Sequence, residues 1–234
     1  ALGKIVSGGD RVEVGQLVRV VSKKHIPTES WWEEGTWWDS TMRRLSPEVP
    51  PPVTQPLPDK PSDVLAKVIR VPEDQPTIQA GIDVANDGST VLVADGIYKG
   101  RGNVNIDFKG KAIKIKSVNG PESTIIDCEN VENTRGFIFQ SGETPSSILD
   151  GFTIKNGKHG FGGGINCHRS SSPTIANNII TGNLANAHGG GIHCSDLSEP
   201  VITNNLITNN SADDRGGGIY CLGTSPTITN NIIV

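Results

Sequence analysis

The sequence has no apolar run approaching the ~20 residues that a helix needs to cross a bilayer, so a helical membrane anchor is not expected within it. It has no excess of basic residues. Its formal net charge is −4, which offers no field for nucleic acid. Charged residues make up only 20% of the chain, while glycine is plentiful, with 28 residues. No Cys-x-x-Cys occurs among its four cysteines, which weakens a metal reading. Neither a metal nor a cofactor is expected. No secretory-leader pattern begins at Ala1, so a leader is expected to have been removed or never to have existed. Asparagine is absent before Asn86 and abundant after Asn103. That imbalance is the first sign of internal division.

Two local concentrations sharpen it. All four tryptophans, Trp31, Trp32, Trp37 and Trp38, lie in one octapeptide, and seven of the fifteen prolines fall between Pro47 and Pro61. The chain is therefore read as a head over residues 1–46, a proline-rich linker over 47–67, and a body over 68–234. In the head, Val12, Val14 and the run Leu17 to Val21 flank Gly15-Gln16, the pattern of a hairpin. The linker should be extended and polyproline-like.

The body is periodic. Gly162-Gly163-Gly164 returns as Gly189-Gly190-Gly191 and Gly216-Gly217-Gly218, a step of 27 residues, with Ile165, Ile192, Ile219 and Cys167, Cys194, Cys221 in the same phase. A fixed period of this size means stacked supersecondary units. Each coil carries three short β-rich runs separated by turns, and no coil can bury its apolar positions alone. Stacked about 4.8 Å apart, the runs form parallel sheets around a narrow core. The clear repeats span 143–234. The first coils, over 68–142, open with a short helix: Asp74 or Thr77 is the expected cap, Ile78, Ile82 and Ala85 the apolar face, and Gly88 the stop. Such a helix covers the end of the core.

In a stack, equivalent residues touch one another. Ile165, Ile192 and Ile219 should form one inward ladder, and Ile148, Ile175, Ile202 and Ile228 another. Asn166, His193 and Tyr220 then point outward. Cys167, Cys194 and Cys221 share the inward phase. A buried thiol ladder is the leading reading, with a disulfide, or a metal site with His168 and His193, as alternatives. Asn178, Asn205 and Asn231 sit at a turn, where asparagine tolerates left-handed backbone and its amide can bond the next copy.

The turn before each glycine triplet varies, and stacking should gather His159, His188, Asp213, Asp214 and Arg215 on one face. Paired carboxylates near a histidine suit acid–base chemistry on a sugar; a solvated polar turn is the simpler alternative. The tryptophans suit either packing against a partner or stacking on sugar rings. Asn209-Asn210-Ser211 matches a glycosylation sequon at a turn where asparagine already has a structural use.

Residues 71–234 resemble the right-handed parallel β-helix superfamily with the pectin-lyase-like fold. The resemblance rests on Val71-Pro72-Glu73-Asp74-Gln75-Pro76-Thr77-Ile78-Gln79, on Gly88 to Tyr98, and on the Gly-Gly-Gly-Ile and Asn-Asn-Ile-Ile-Thr-Gly-Asn phrases. The repeats also resemble those of polymorphic outer-membrane proteins. The implied fold is an all-β, right-handed parallel β-helix solenoid with a short N-terminal capping helix, preceded by a small β-rich head and a tether. The implied location is the bacterial cell surface or beyond. No activity carries over. The polygalacturonase branch orders its Asp, paired Asp, Gly-His-Gly and Arg-x-Lys motifs, whereas here His159-Gly160 precedes Asp213-Asp214 and no Arg-x-Lys follows. Neither the calcium-binding acidic cluster nor the catalytic Arg of the pectate-lyase branch can be placed.

Because the sequence stops at Val234 within a coil, either the chain continues or something covers that end. A proline-tethered arm could do so from a neighbouring copy. The expected function is a non-catalytic, structural or adhesive surface protein that associates head to tail into a homo-oligomer or filament. A polysaccharide lyase or hydrolase and a carbohydrate-binding module are the alternatives, polysaccharide being the possible partner.

Overall fold

The computed structural model describes residues 66–234. The expectations for the head hairpin, the tryptophan cluster and most of the linker fall outside these residues. The body is a parallel β-solenoid of four sheets. The first has seven strands: Val68–Val71, Thr90–Val93, Lys114–Ser117, Ile148–Asp150, Thr174–Ala176, Val201–Thr203 and Thr227–Thr229. The second has six: Gly96–Tyr98, Thr124–Asp127, Thr153–Lys155, Ile179–Thr181, Leu206–Thr208 and Ile232–Ile233. The third has five: Ile106–Asp107, Phe137–Phe139, Ile165–Cys167, Ile192–Cys194 and Ile219–Cys221. A fourth, narrower sheet stacks Lys158–Phe161, Leu184–His188 and Ser211–Ala212.

Burying an aliphatic side chain contributes ~1.5–3 kcal/mol, so the columns of aliphatic residues drive the stack. In the third sheet Phe137, Ile165, Ile192 and Ile219 pair in direct succession, and beside them run Phe139, Cys167, Cys194 and Cys221. All four cysteines are free thiols. In the first sheet the inward column is Val91, Ile115, Leu149, Ile175, Ile202 and Ile228. The expectation that Ile148 belongs to it is corrected: Ile148 pairs with Thr174, and Leu149 is the fully buried partner of Ile175. A slip of one residue reverses the face of a strand, and Leu149 is the residue whose parity matches the core. Near the capped end Phe108, Phe137, Phe139 and Phe152 fill the interior, with ring centroids 4.6–6.4 Å apart.

The capping helix is Ile78–Val84. Thr77 is its N-cap, accepting from the Ala80 amide at 3.2 Å, and Ile78 and Ile82 are buried. It stops before Gly88, with Ala85 at the C-cap. The stop comes from elsewhere in the chain: Lys111 Nζ donates to the carbonyls of Ile82, Asp83 and Ala85 at 2.7, 2.9 and 2.8 Å, satisfying acceptors that a helix end leaves open.

The two roles expected of one asparagine column are divided between neighbours. Asn177, Asn204 and Asn230 hold the left-handed backbone, with φ of 57°, 56° and 57°. Asn178, Asn205 and Asn231 turn inward as an amide ladder. Asn205 Oδ1 accepts from the Asn178 amide nitrogen at 2.9 Å and from Asn178 Nδ2 at 3.1 Å, and Asn231 Oδ1 does the same for Asn205. A second ladder joins Asn183 to Asn210, at a column that the repeat pattern alone did not single out.

Candidate functional site

The face built by the fourth sheet differs from the other three. The segments before the glycine triplets, read from sequence as turns, are strands at Lys158–Phe161 and Leu184–His188. Each chain segment then doubles back through its triplet. Gly162, Gly189 and Gly216 take left-handed backbone (φ 60°, 68° and 67°). The middle glycines are held by contact: a Cβ on Gly163 would lie 2.5 Å from the Leu184 carbonyl oxygen, and one on Gly190 2.2 Å from that of Ser211. This doubling back lays the fourth sheet beside the outer surface of the third. Asn166 and His193 consequently point away from the aliphatic core yet are buried, at 7% and 5% exposure.

The register decides which candidates meet. His159 pairs with Ala185, and after a bulge Phe161 pairs with His188. His188 in turn bridges to Arg215, and its Nδ1 lies 3.5 Å from Asp214 Oδ2. Arg215 Nε lies 3.6 Å from Asp214 Oδ1. His188, Asp214 and Arg215 therefore come together at an exposed rim. The amide of Asp213 joins the same row by donating to the Ala185 carbonyl at 3.0 Å. His159 does not join the rim; its partner is Arg135, whose Nη2 donates to His159 Nδ1.

Between rim and sheet lies an aromatic and imidazole surface. The ring centroid of Phe161 is 5.6 Å from that of His188 and 5.3 Å from that of His193. Tyr220 lies 4.6 Å from His188 and stacks on His193 at 5.8 Å. Phe161 remains 46% exposed. His193 is oriented by Asn166, whose Oδ1 is 2.9 Å from Nδ1. The interior of this face is short of partners: Arg135 Nη1, His168 Nε2, His188 Nδ1 and His193 Nε2 are buried and make no hydrogen bond.

The stacked geometry and the sequence agree on kinship. A family model described as a right handed beta helix region matches residues 78–233. The chain belongs to the right-handed β-helix family. No curated protein and no solved structure matches the chain. The β-helix thus provides the scaffold, and its chemistry has to be read from this flank.

Electrostatics on the flank follow from burial. Burial, reinforced by the Arg135 charge, pushes His159 down to about 4. Burial, together with the neighbouring His188, Arg135 and His168, does the same to His193. His168 is also lowered, chiefly by burial, and burial brings Arg135 down to about 10. The thiols are pushed the other way: burial raises Cys128 to about 12, and Cys194 and Cys221 lie above their ordinary value. They are core groups with little nucleophilic character.

These histidines predict an acid response. Below their ordinary value of 6.5 the unfolded chain takes up protons that folded His159 and His193 refuse until about 4. Stability should therefore be complete above that upper value and decline as pH falls through the interval. Urea unfolding midpoints across the interval measure the decline. The double variant His159→Gln/His193→Gln should flatten the curve; an equally steep curve in that variant would reject these two groups as its source.

Arg135, the residue that organises the inner flank, was not singled out from sequence. The signal was present: Phe137 pairs with Ile165, so Arg135-Gly136 occupies the phase of Gly163-Gly164. The step there is one residue longer than the 27 of the clear repeats, since 165 − 137 is 28.

Proposed function

We propose that this β-helix is a non-catalytic protein of the cell surface or extracellular space, structural or adhesive in role, which contacts a glycan along the shelf of Phe161, His188 and Tyr220, with the buried His193 packed against it. The half-exposed Phe161 ring packed against two imidazoles carries the reading. Flat apolar rings accept the C–H face of a pyranose, and the polar rim of Asp214 and Arg215 suits its hydroxyls. Binding is favoured over turnover because the imidazoles of His159 and His193, pushed down to about 4 by burial, are weak bases, and His159 Nδ1 is already taken by Arg135.

A glycan array followed by calorimetry on the best ligand tests the proposal. Phe161→Ala and His188→Ala should each weaken binding about tenfold, the size of one lost stacking contact. Affinity unchanged in both would remove the shelf from consideration. Turnover of an acidic polysaccharide that disappears in Asp213→Ala/Asp214→Ala would replace adhesion by a lyase or hydrolase.

Self-association belongs to the same proposal and is supported by the proline-rich tether and the tryptophan octapeptide, a composition suited to an arm that docks on a neighbour. Removing residues 1–61 should reduce the particle size measured by light scattering to that of a single chain. An unchanged size would leave the arm without this role.

A further inference from the structure

The dipeptide Asn-Gly occurs twice in the chain, at Asn119-Gly120 and Asn156-Gly157. Its glycine amide nitrogen can reach the asparagine side-chain carbon, because no Cβ on the second residue hinders the approach. The fold treats the two copies in opposite ways.

Asn156-Gly157 is locked into the stack. The Gly157 amide donates to Asn183 Oδ1 at 2.9 Å, and Asn183 is 1% exposed. Gly157 is buried, and its carbonyl accepts from the Leu184 amide at 2.8 Å. Asn156 Nδ2 donates to Asp127 Oδ1 at 2.8 Å. Freeing the Gly157 nitrogen therefore means breaking into the buried asparagine ladder.

Asn119-Gly120 lies on the bend between the strands Lys114–Ser117 and Thr124–Asp127. Asn119 is exposed. The Gly120 amide donates to Ser117 Oγ at 3.1 Å, a local side-chain bond rather than a rung of the solenoid. A Cβ on Gly120 would meet nothing within 4 Å. Asn119 Nδ2 donates to Asp95 Oδ2 at 2.9 Å, across to the preceding coil, whose Val93 carbonyl accepts from the Val118 amide at 2.9 Å. Here the glycine nitrogen is released by opening a single local bond.

We propose that Asn119 is a site of spontaneous modification that converts to isoaspartate, with water as the co-reactant. The Gly120 nitrogen gives its proton to solvent and bonds to Asn119 Cγ. The Cγ–Nδ2 bond breaks, and the amide nitrogen takes a proton back and leaves as ammonia, closing a succinimide ring. Water then opens the ring. Attack at Cγ gives an aspartyl residue. Attack at the backbone carbonyl carbon breaks its bond to the Gly120 nitrogen, so that the chain runs on through Cγ and the former backbone carbonyl becomes a free carboxylate. The sum is one water consumed and one ammonia released, with no oxidation. Either product sets a carboxylate against Asp95 where there had been a donor. The modification thus cuts the Asn119–Asp95 link between neighbouring coils and adds a negative charge.

The test incubates the full chain in mildly alkaline buffer, native and in urea, and follows both sites by peptide mapping with fragmentation that separates isoaspartate from aspartate. In the native protein Asn119 should convert at least about tenfold faster than Asn156, the protection that one buried hydrogen bond provides. In urea the two rates should converge, because neither glycine nitrogen is then held. Equal native rates, or an Asn119 that stays intact natively for a period that converts it in urea, overturns the proposal. A tenfold difference that persists in urea would assign the selectivity to the flanking sequence and overturn the structural argument.

Discussion

Replacing Gly190 with alanine is expected to lower stability by at least ~3 kcal/mol, the upper part of the range for overpacking a rigid site. The added Cβ would lie 2.2 Å from the Ser211 carbonyl oxygen and 2.6 Å from that of Gly217. Both obstacles are backbone, so no side-chain rotation relieves them. Relief requires two rungs to part, and that strains the bonds from the Gly190 amide to the Gly216 carbonyl (3.1 Å) and from the Gly191 amide to the Gly217 carbonyl (2.9 Å). Gly160→Ala is the control. A Cβ there meets nothing within 4 Å, and the change should be neutral or slightly stabilising, because alanine restricts the unfolded chain. Equal denaturant midpoints for the two variants would show that the triplet tolerates side chains and that the close approach is not what maintains it.

Asn205→Leu is expected to cost ~3–5 kcal/mol, from several buried polar groups left unpaired at ~1–3 kcal/mol each. Asn205 is 2% exposed. Its Oδ1 takes two donors from Asn178, and its Nδ2 donates to the carbonyls of Ile175 and Thr203 at 2.9 and 3.0 Å and to Asn231 Oδ1 at 3.0 Å. Leucine matches the volume and supplies none of these bonds. The preceding residue tests the division of labour between neighbours: Asn204→Gly, at an exposed left-handed position with φ 56°, should change stability by less than ~0.5 kcal/mol. If urea titrations gave comparable losses for both, the inward amide ladder would not be the source of the column's stability.

What could be read from the sequence followed from what repeats. Ile165, Ile192 and Ile219 recur with β-branched neighbours at one step, and that alone places parallel strands and their inward parity. The left-handed turn and the amide ladder were harder to separate, since Asn177 and Asn178 are the same residue type in adjacent columns and only backbone geometry distinguishes them. The fourth sheet was not visible. Lys158-His159-Gly160-Phe161 has neither alternation nor β-branching, and it is extended because the triplet returns the chain beside the third sheet. The inner flank was hidden for a related reason. Arg135 stands where later coils carry glycine, and His193 reads as an outward residue until the fourth sheet covers it.

The ladders also determine how the molecule bears load. In each sheet the strands run across the long axis and the bonds between rungs run along it, as in the succession Ile165, Ile192, Ile219. A pull along the axis therefore acts on one rung boundary at a time, and the coils should peel away singly at low force. A pull across the axis is carried by the covalent backbone and by every rung in parallel. The stack of coils over residues 66–234 is therefore more compliant along its axis than across it.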